Sequence, residues 1–285
     1  MARLILSGFA DEASPCLDGQ IDALTDNKVA YVELRQVDGI NVADFTPEKT
    51  ATIAQKLKGH QIHVSCLGSP IGKIKLTDSF PEHLEKMKQL CDTAHRLETS
   101  LIRIFSFYLP EQQTPEQCRE EVIERVGRLL DIADAQSCTL LHENERDIFG
   151  DVPERCLQLH RAFESRLRGI LDPANYLLVD ADPLQAMVEL DEWIDYLHIK
   201  DVRLSDKRIV PAGKGDGRLP EIINLMKKKE GSRFLSVEPH LTHFAGREAL
   251  EKDSSNTPEQ LADEYTYADG PSAFKAAVQA CRSLL

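Results

Sequence analysis

The sequence predicts an α/β protein folded as a single-domain (β/α)8 TIM barrel. Three observations carry that prediction. Eight short apolar, β-branched runs alternate with amphipathic polar stretches from one end of the chain to the other. Helix-start punctuation recurs between these runs. The length, 285 residues, suits one closed barrel, and no linker or low-complexity segment divides it. A chain of this size buries roughly three quarters of its unfolded surface and needs no covalent staples.

The expected strands are Arg3–Ser7, Tyr31–Arg35, Gln61–Leu67, Leu101–Phe107, Thr139–Glu143, Gly169–Asp172, Tyr196–Lys200 and Phe234–Glu238. Ser14-Pro15 and Thr46-Pro47 each place a capping hydroxyl before a proline at the first helical position. Capping-box spacing follows at Ser79–Glu82, Thr114–Gln117, Asp151–Glu154, Asp182–Gln185 and Thr257–Gln260. One such box is weak evidence; five in step with the strands describe a repeated βα unit. A doubly wound open sheet is the alternative. It would want a glycine-rich turn after the first strand, and Gly8-Phe9-Ala10-Asp11-Glu12 is a poor phosphate cradle. A polar loop excursion is expected around 240–256, after the last strand and over the barrel mouth.

Composition narrows the function classes. Lysine and arginine total 34 against 47 acidic residues, a net charge of −13, which argues against a nucleic-acid partner. No apolar run is long enough to span a membrane, so no membrane partner is expected. The opening Met-Ala-Arg-Leu-Ile-Leu-Ser reads as a first strand, not a signal peptide, which makes the cytoplasm the expected location. The seven cysteines are scattered and odd in number, so reduced, mostly buried thiols are expected.

In a barrel, reactive side chains project from the C-terminal ends of the strands. The fifth strand ends in Glu143, the sixth in Asp172, the seventh carries His198 and the eighth ends in Glu238. Singly, each has a bland explanation: a solvated glutamate, a core histidine, a turn aspartate. Together, three carboxylates converging on a barrel axis would repel and be desolvated at large cost unless neutralised. A divalent cation neutralises them, and three oxygen donors with one imidazole suit Mn²⁺ first, with Mg²⁺, Zn²⁺ or Co²⁺ as alternatives. Period-two alternation puts Lys200 on the His198 face and lets His240 continue the Glu238 face. With Arg35, Glu145, Asn175 and Lys214, the last in a glycine-rich loop read as flexible, these form the expected substrate-binding set.

The strand ends Glu-Asn-Glu145, Leu-Asp-Pro-Ala-Asn175, His-Ile-Lys-Asp201 and Val-Glu-Pro-His240, in that order, resemble the xylose-isomerase-like TIM-barrel superfamily and its sugar phosphate isomerase/epimerase proteins. The resemblance implies one divalent metal held by Glu143, Asp172, His198 and Glu238, with Glu143 and Glu238 also moving the proton. Asn175 departs from the histidine that ketose epimerases of this group commonly carry three residues after the metal aspartate. The implied activity is a metal-dependent isomerase or epimerase of a sugar or sugar-like polyol, removing a proton α to a carbonyl through a metal-stabilised enediolate. A keto-sugar or keto-inositol dehydratase on the same site is the alternative, and a non-catalytic sugar-binding barrel is the third. The expected partner is a small carbohydrate; a homo-oligomer stays open.

Overall fold

The computed structural model describes residues 1–242, 260–261 and 263–285. The expected Thr257–Gln260 capping box and most of the expected 240–256 excursion lie outside the described residues. Eight parallel strands form one sheet: β1 Arg3–Gly8, β2 Tyr31–Leu34, β3 His63–Leu67, β4 Leu101–Ile104, β5 Thr139–Glu143, β6 Leu167–Leu171, β7 Ile194–Ile199 and β8 Ser232–Val237. The ladder runs β1-β8-β7-β6-β5-β4-β3-β2, and β1 lies against β2 at the seam, so the sheet curls into a nearly closed barrel. The expected TIM barrel is the observed fold.

Nine helices are described between and after the strands: α1 Leu17–Asp26, α2 Pro47–Gly59, α3 Phe80–Arg96, α4 Pro115–Ala135, α5 Pro153–Phe163, α6 Pro173–Leu178, α7 Pro183–Glu189, α8 Leu219–Lys228 and α9 Gly270–Ser283. Thr46 caps α2 through Lys49 N, and Thr114 with Gln117 forms a complete capping box on α4. Two starts differ from expectation. Pro15 does not begin α1, because its carbonyl accepts from Asp38 N at 2.7 Å and pins it to the hairpin after β2; the helix starts at Leu17. Asp151 does not cap α5, because its carboxylate is drawn to Arg155, and Val152 is the N-cap. Ser79 precedes α3 without a side-chain cap bond, and Asp182 bonds Leu184 N and Gln185 N while the Gln185 side chain turns to Glu189.

Two apolar layers hold the barrel. The large one fills the space between strands and helices, with Leu24, Met87, Leu90, Leu129, Leu159 and Phe274 among its buried members. A smaller one of Cys66, Leu141, Ile170 and Tyr196 packs separately. Leu141, Ile170 and Tyr196 lie two residues before Glu143, Asp172 and His198, so alternation carries the strands from an apolar floor to a polar mouth. Among the described residues the cysteines are free thiols, and all but Cys16 are buried.

The fourth strand stops at Ile104, short of the expected Phe107. Beyond it, Phe105 N and Phe107 N bond the carbonyls of Ile71 and Gly72 in the loop after β3, at 2.7 and 2.9 Å. Gly72 sits at φ +89°, and a Cβ there would fall 2.0 Å from the Phe105 carbonyl oxygen. Both conformation and space exclude a side chain. We expect Gly72→Ala to cost about 2–4 kcal/mol in urea unfolding, with loss of the loop that carries Lys73 to the mouth.

Candidate metal centre

Glu143, Asp172, His198 and Glu238 meet at the C-terminal mouth of the barrel, each offering a ligand atom within 4.8 Å of the others'. The local sequence explains the convergence. Glu143 is the last residue of β5, and Asp172 follows β6 and caps α6, accepting from Asn175 N at 3.0 Å. His198 pairs in register with Ser236 of β8, so Glu238, two residues on, rises one layer above it on the same face. All four are buried, at 6% exposure or less.

Three cations hold the carboxylates in place. Arg103 Nη1 donates to Glu143 Oε2 at 3.1 Å while its other nitrogens bond the Gly68 and Ser69 carbonyls. Arg35 Nη1 donates to Glu238 Oε1 at 3.1 Å, and its Nε and Nη2 grip Asp11 and Glu12. Each glutamate thus has one oxygen on a guanidinium and the other turned to the cluster: Glu143 Oε1 lies 2.7 Å from His198 Nδ1 and Glu238 Oε2 3.8 Å from it. Lys200 Nζ lies 3.0 Å from Asp172 Oδ2 and 3.5 Å from Glu238 Oε2. The ring of Phe9, fully buried, lies under Arg35 and edge-on to His198.

The electrostatics are those of a charged cluster shut away from water. Burial pushes Asp172 up to about 7, against the pull of Lys200 and with the push of Glu238 and Glu143. Burial also opposes ionisation of Glu238, but Lys200, His240, His198 and Arg35 outweigh it and hold that carboxyl well below its usual range. For His198, burial favours the neutral ring, and the carboxylates of Glu143 and Glu33 overcome it, lifting the imidazole well above its ordinary value. Asp172 Oδ2 and Glu238 Oε2 accept no well-formed hydrogen bond, and both have the single Lys200 ammonium as their ion-pair partner. Both face the cluster, where one ammonium serves two buried carboxylates, a balance that a bound cation would improve. Three carboxylates and an imidazole meeting at one point fit a divalent cation with mixed oxygen and nitrogen preference.

The remaining expected residues fall into four places. Asn175 and Lys200 are buried beside the cluster, with Lys200 Nζ donating to Asn175 Oδ1 at 3.0 Å. Arg35 and His240 are buried in the network around Glu238; His240 N donates to Glu12 Oε2 at 2.7 Å and its Nε2 lies 3.5 Å from Glu238 Oε1. Glu12, Glu238 and His240 also lie close enough to share an ion, but Glu12 Oε1 and Glu238 Oε1 already bond Arg35. Glu145 stands at the rim, paired with Lys73 at 2.9 Å. Lys214 is exposed, and its loop is held, not loose: the N–H groups of Gly213, Gly215 and Gly217 donate to the Asp201 carboxylate at 2.8, 3.0 and 2.9 Å. The sequence reading missed Glu33, Arg103, Asp11 and Glu12. Glu33 and Arg103 had a usable sign: a charged residue inside an apolar strand of a parallel barrel must find a buried partner.

The family model for the xylose isomerase-like TIM barrel matches residues 21–263. The chain belongs to that family. A curated relative, the 3-dehydroshikimate dehydratase of Bacillus anthracis, is 25% identical over 134 residues, which are 47% of this chain and 48% of the relative. The chain's match therefore spans about half the length of that protein. Among solved structures, the probable 3-DHS dehydratase AsbF involved in petrobactin synthesis from Bacillus anthracis superposes with a TM-score of 0.73 at 17% identity, covering 99% of both chains. The IOLI protein with a binding zinc atom gives 0.74 at 15% identity over 98% of this chain and 97% of that one. An L-ribulose 3-epimerase gives 0.73 at 17% identity over 100% and 95%. These likenesses establish the shared barrel.

We expect His198→Ala to lower the melting temperature of the metal-free protein, because Glu33 and Glu143 lose a buried partner, and in addition to abolish the upward shift that Mn²⁺ gives the wild type. A core histidine without a ligand role would instead lower the melting temperature equally with and without the ion.

Proposed function

We propose that this protein is a metal-dependent enzyme that moves a proton at the carbon α to a carbonyl of a small sugar or sugar-like polyol, as an isomerase or epimerase. The observation that carries the reading is the convergence of Glu143, Asp172, His198 and Glu238 on one point at the barrel mouth. These four residues would hold one divalent ion, Mn²⁺ in the first instance. When bound, the ion supplies Lewis-acid polarisation of a substrate carbonyl and its neighbouring hydroxyl.

The chain's own groups supply the rest. Arg103 and Arg35 hold Glu143 and Glu238 from behind, so each carboxylate presents one oxygen to the bound substrate. One removes the α-proton and the other returns it from the opposite side, which inverts or relocates the stereocentre. Lys200, steadied by Asn175, places a positive charge beside Asp172 and Glu238, where negative charge develops on the substrate oxygen. Among the described residues, the buried cations of the mouth, Arg35, Arg103 and Lys200, are all engaged with carboxylates, which favours an uncharged polyhydroxylated substrate over a phosphate ester.

The match to a 3-dehydroshikimate dehydratase favours a second reading, in which the same proton abstraction is followed by loss of a β-hydroxyl. Incubation with Mn²⁺ in D2O separates the two. A panel of ketoses, keto-inositols and 3-dehydroshikimate is followed by NMR. Deuterium at the α-carbon of an isomer or epimer supports the first reading, and deuterium uptake with loss of water supports the second. Binding of the ion and of a sugar with no exchange in any compound would contradict both and leave a non-catalytic sugar-binding barrel.

A further inference from the structure

Glu33 lies in the middle of β2, in Tyr-Val-Glu-Leu, and its side chain is fully buried. A buried carboxylate there is expensive unless it does something. Its oxygens lie 3.2 and 3.3 Å from Nε2 of His198, on the far side of the imidazole from Glu143 and Glu238. The Nδ1 of the same ring points the other way, 2.7 Å from Glu143 Oε1. We propose that Glu33 is a positioning residue of the metal centre: it takes the Nε2–H of His198, fixes the ring's orientation and tautomer, and so makes Nδ1 the ligating nitrogen. This inference rests on the metal-dependent reading above.

An imidazole has two chemically similar nitrogens, and the hydrogen bond made by one decides which lone pair is offered to an ion. Here the two nitrogens face two different carboxylates, and only the Glu143 side carries the other candidate ligands. Glu33 is itself braced. The Tyr196 side chain, two residues before His198, acts on the Glu33 carboxyl and favours its charged form. The Tyr196 hydroxyl lies 2.9 Å from Ser65 Oγ, which bonds the Val32 carbonyl at 3.1 Å and lies 2.7 Å from Ser7 Oγ. A buried chain of hydroxyls therefore runs from Ser7 through Ser65 to the tyrosine that neighbours the Glu33 carboxylate. Glu33 touches neither the ion nor the substrate, and it acts only through His198.

The test uses the full-length protein and Zn²⁺ alone, a diamagnetic probe. Competition titration gives the affinity, and ¹⁵N-histidine NMR gives the ligating nitrogen. In the wild type, Nδ1 should carry the zinc-induced shift while Nε2 keeps its proton. Glu33→Ala should weaken Zn²⁺ by about 10–100-fold, and Glu33→Gln, which keeps an acceptor oxygen, should recover most of that loss. Tyr196→Phe should weaken it by only a few-fold. Zinc on Nε2 of the wild-type histidine overturns the proposal, whether or not the alanine variant folds. So does a Glu33→Ala protein with unchanged affinity and spectrum. If the wild type takes up no divalent ion at all, the metal-dependent reading fails, and with it the ground of this inference; the two failures are distinct.

Discussion

Glu143→Gln and Glu238→Gln should each lower turnover by about 10²–10⁴-fold at saturating Mn²⁺, beyond any loss of bound metal. The amide keeps the shape and one oxygen but loses the basicity needed for proton transfer. The surroundings should register the change as well. In Glu238→Gln, Arg35 keeps Asp11 and Glu12, so the fold should survive. In Glu143→Gln, Arg103 keeps the carbonyls of Gly68 and Ser69. Deuterium exchange then separates the roles. The variant lacking the first base should not exchange the substrate α-hydrogen, whereas the variant lacking the second should exchange it without completing the product. A hydride shift in the wild type, with no solvent deuterium in the product, would leave both glutamates as ligands alone.

Removal of the divalent ion by a chelator should abolish proton exchange, and Mn²⁺ added in excess of the chelator should restore it. The same removal should lower the melting temperature. At a free ion concentration one hundred times its dissociation constant, binding stabilises the native state by about 2.7 kcal/mol. For a barrel of this size that corresponds to a shift of several degrees. The gain arises where Asp172, Glu143 and Glu238 crowd one another in a buried site. Exchange that persists at full rate in the chelated protein would show that Lys200 and the glutamates work without an ion.

The barrel was legible because its evidence is periodic and repeated. Eight apolar runs fell on the eight barrel strands, and the level of Glu143, Asp172, His198 and Glu238 followed from where those runs end. The edges were less legible. Phe105 and Phe107 read as strand by composition, yet their backbone bonds go to the loop at Gly72, a partner no local pattern names. Pro15 and Asp151 read as helix starts, yet a hairpin N–H and Arg155 compete for them. The layer that supports the site was hidden for a related reason. Arg35 looked like a group for substrate because it closes a strand, but its charge is consumed by Asp11, Glu12 and Glu238, two of which precede it by more than twenty residues and one of which follows by two hundred. Lys214 looked mobile in its glycine-rich loop, but the loop is wrapped around Asp201. Pairings across the barrel leave no mark on the spacing of either partner.

The central claim is that four strand-end side chains form one divalent-metal site. Anomalous diffraction from a crystal soaked in Mn²⁺ tests it most directly. The account predicts a single strong peak at the barrel mouth, with oxygens of Glu143, Asp172 and Glu238 and Nδ1 of His198 at about 2.0–2.4 Å. A mouth without a peak, or a peak there with Asp172 or His198 turned away from it, would contradict the account.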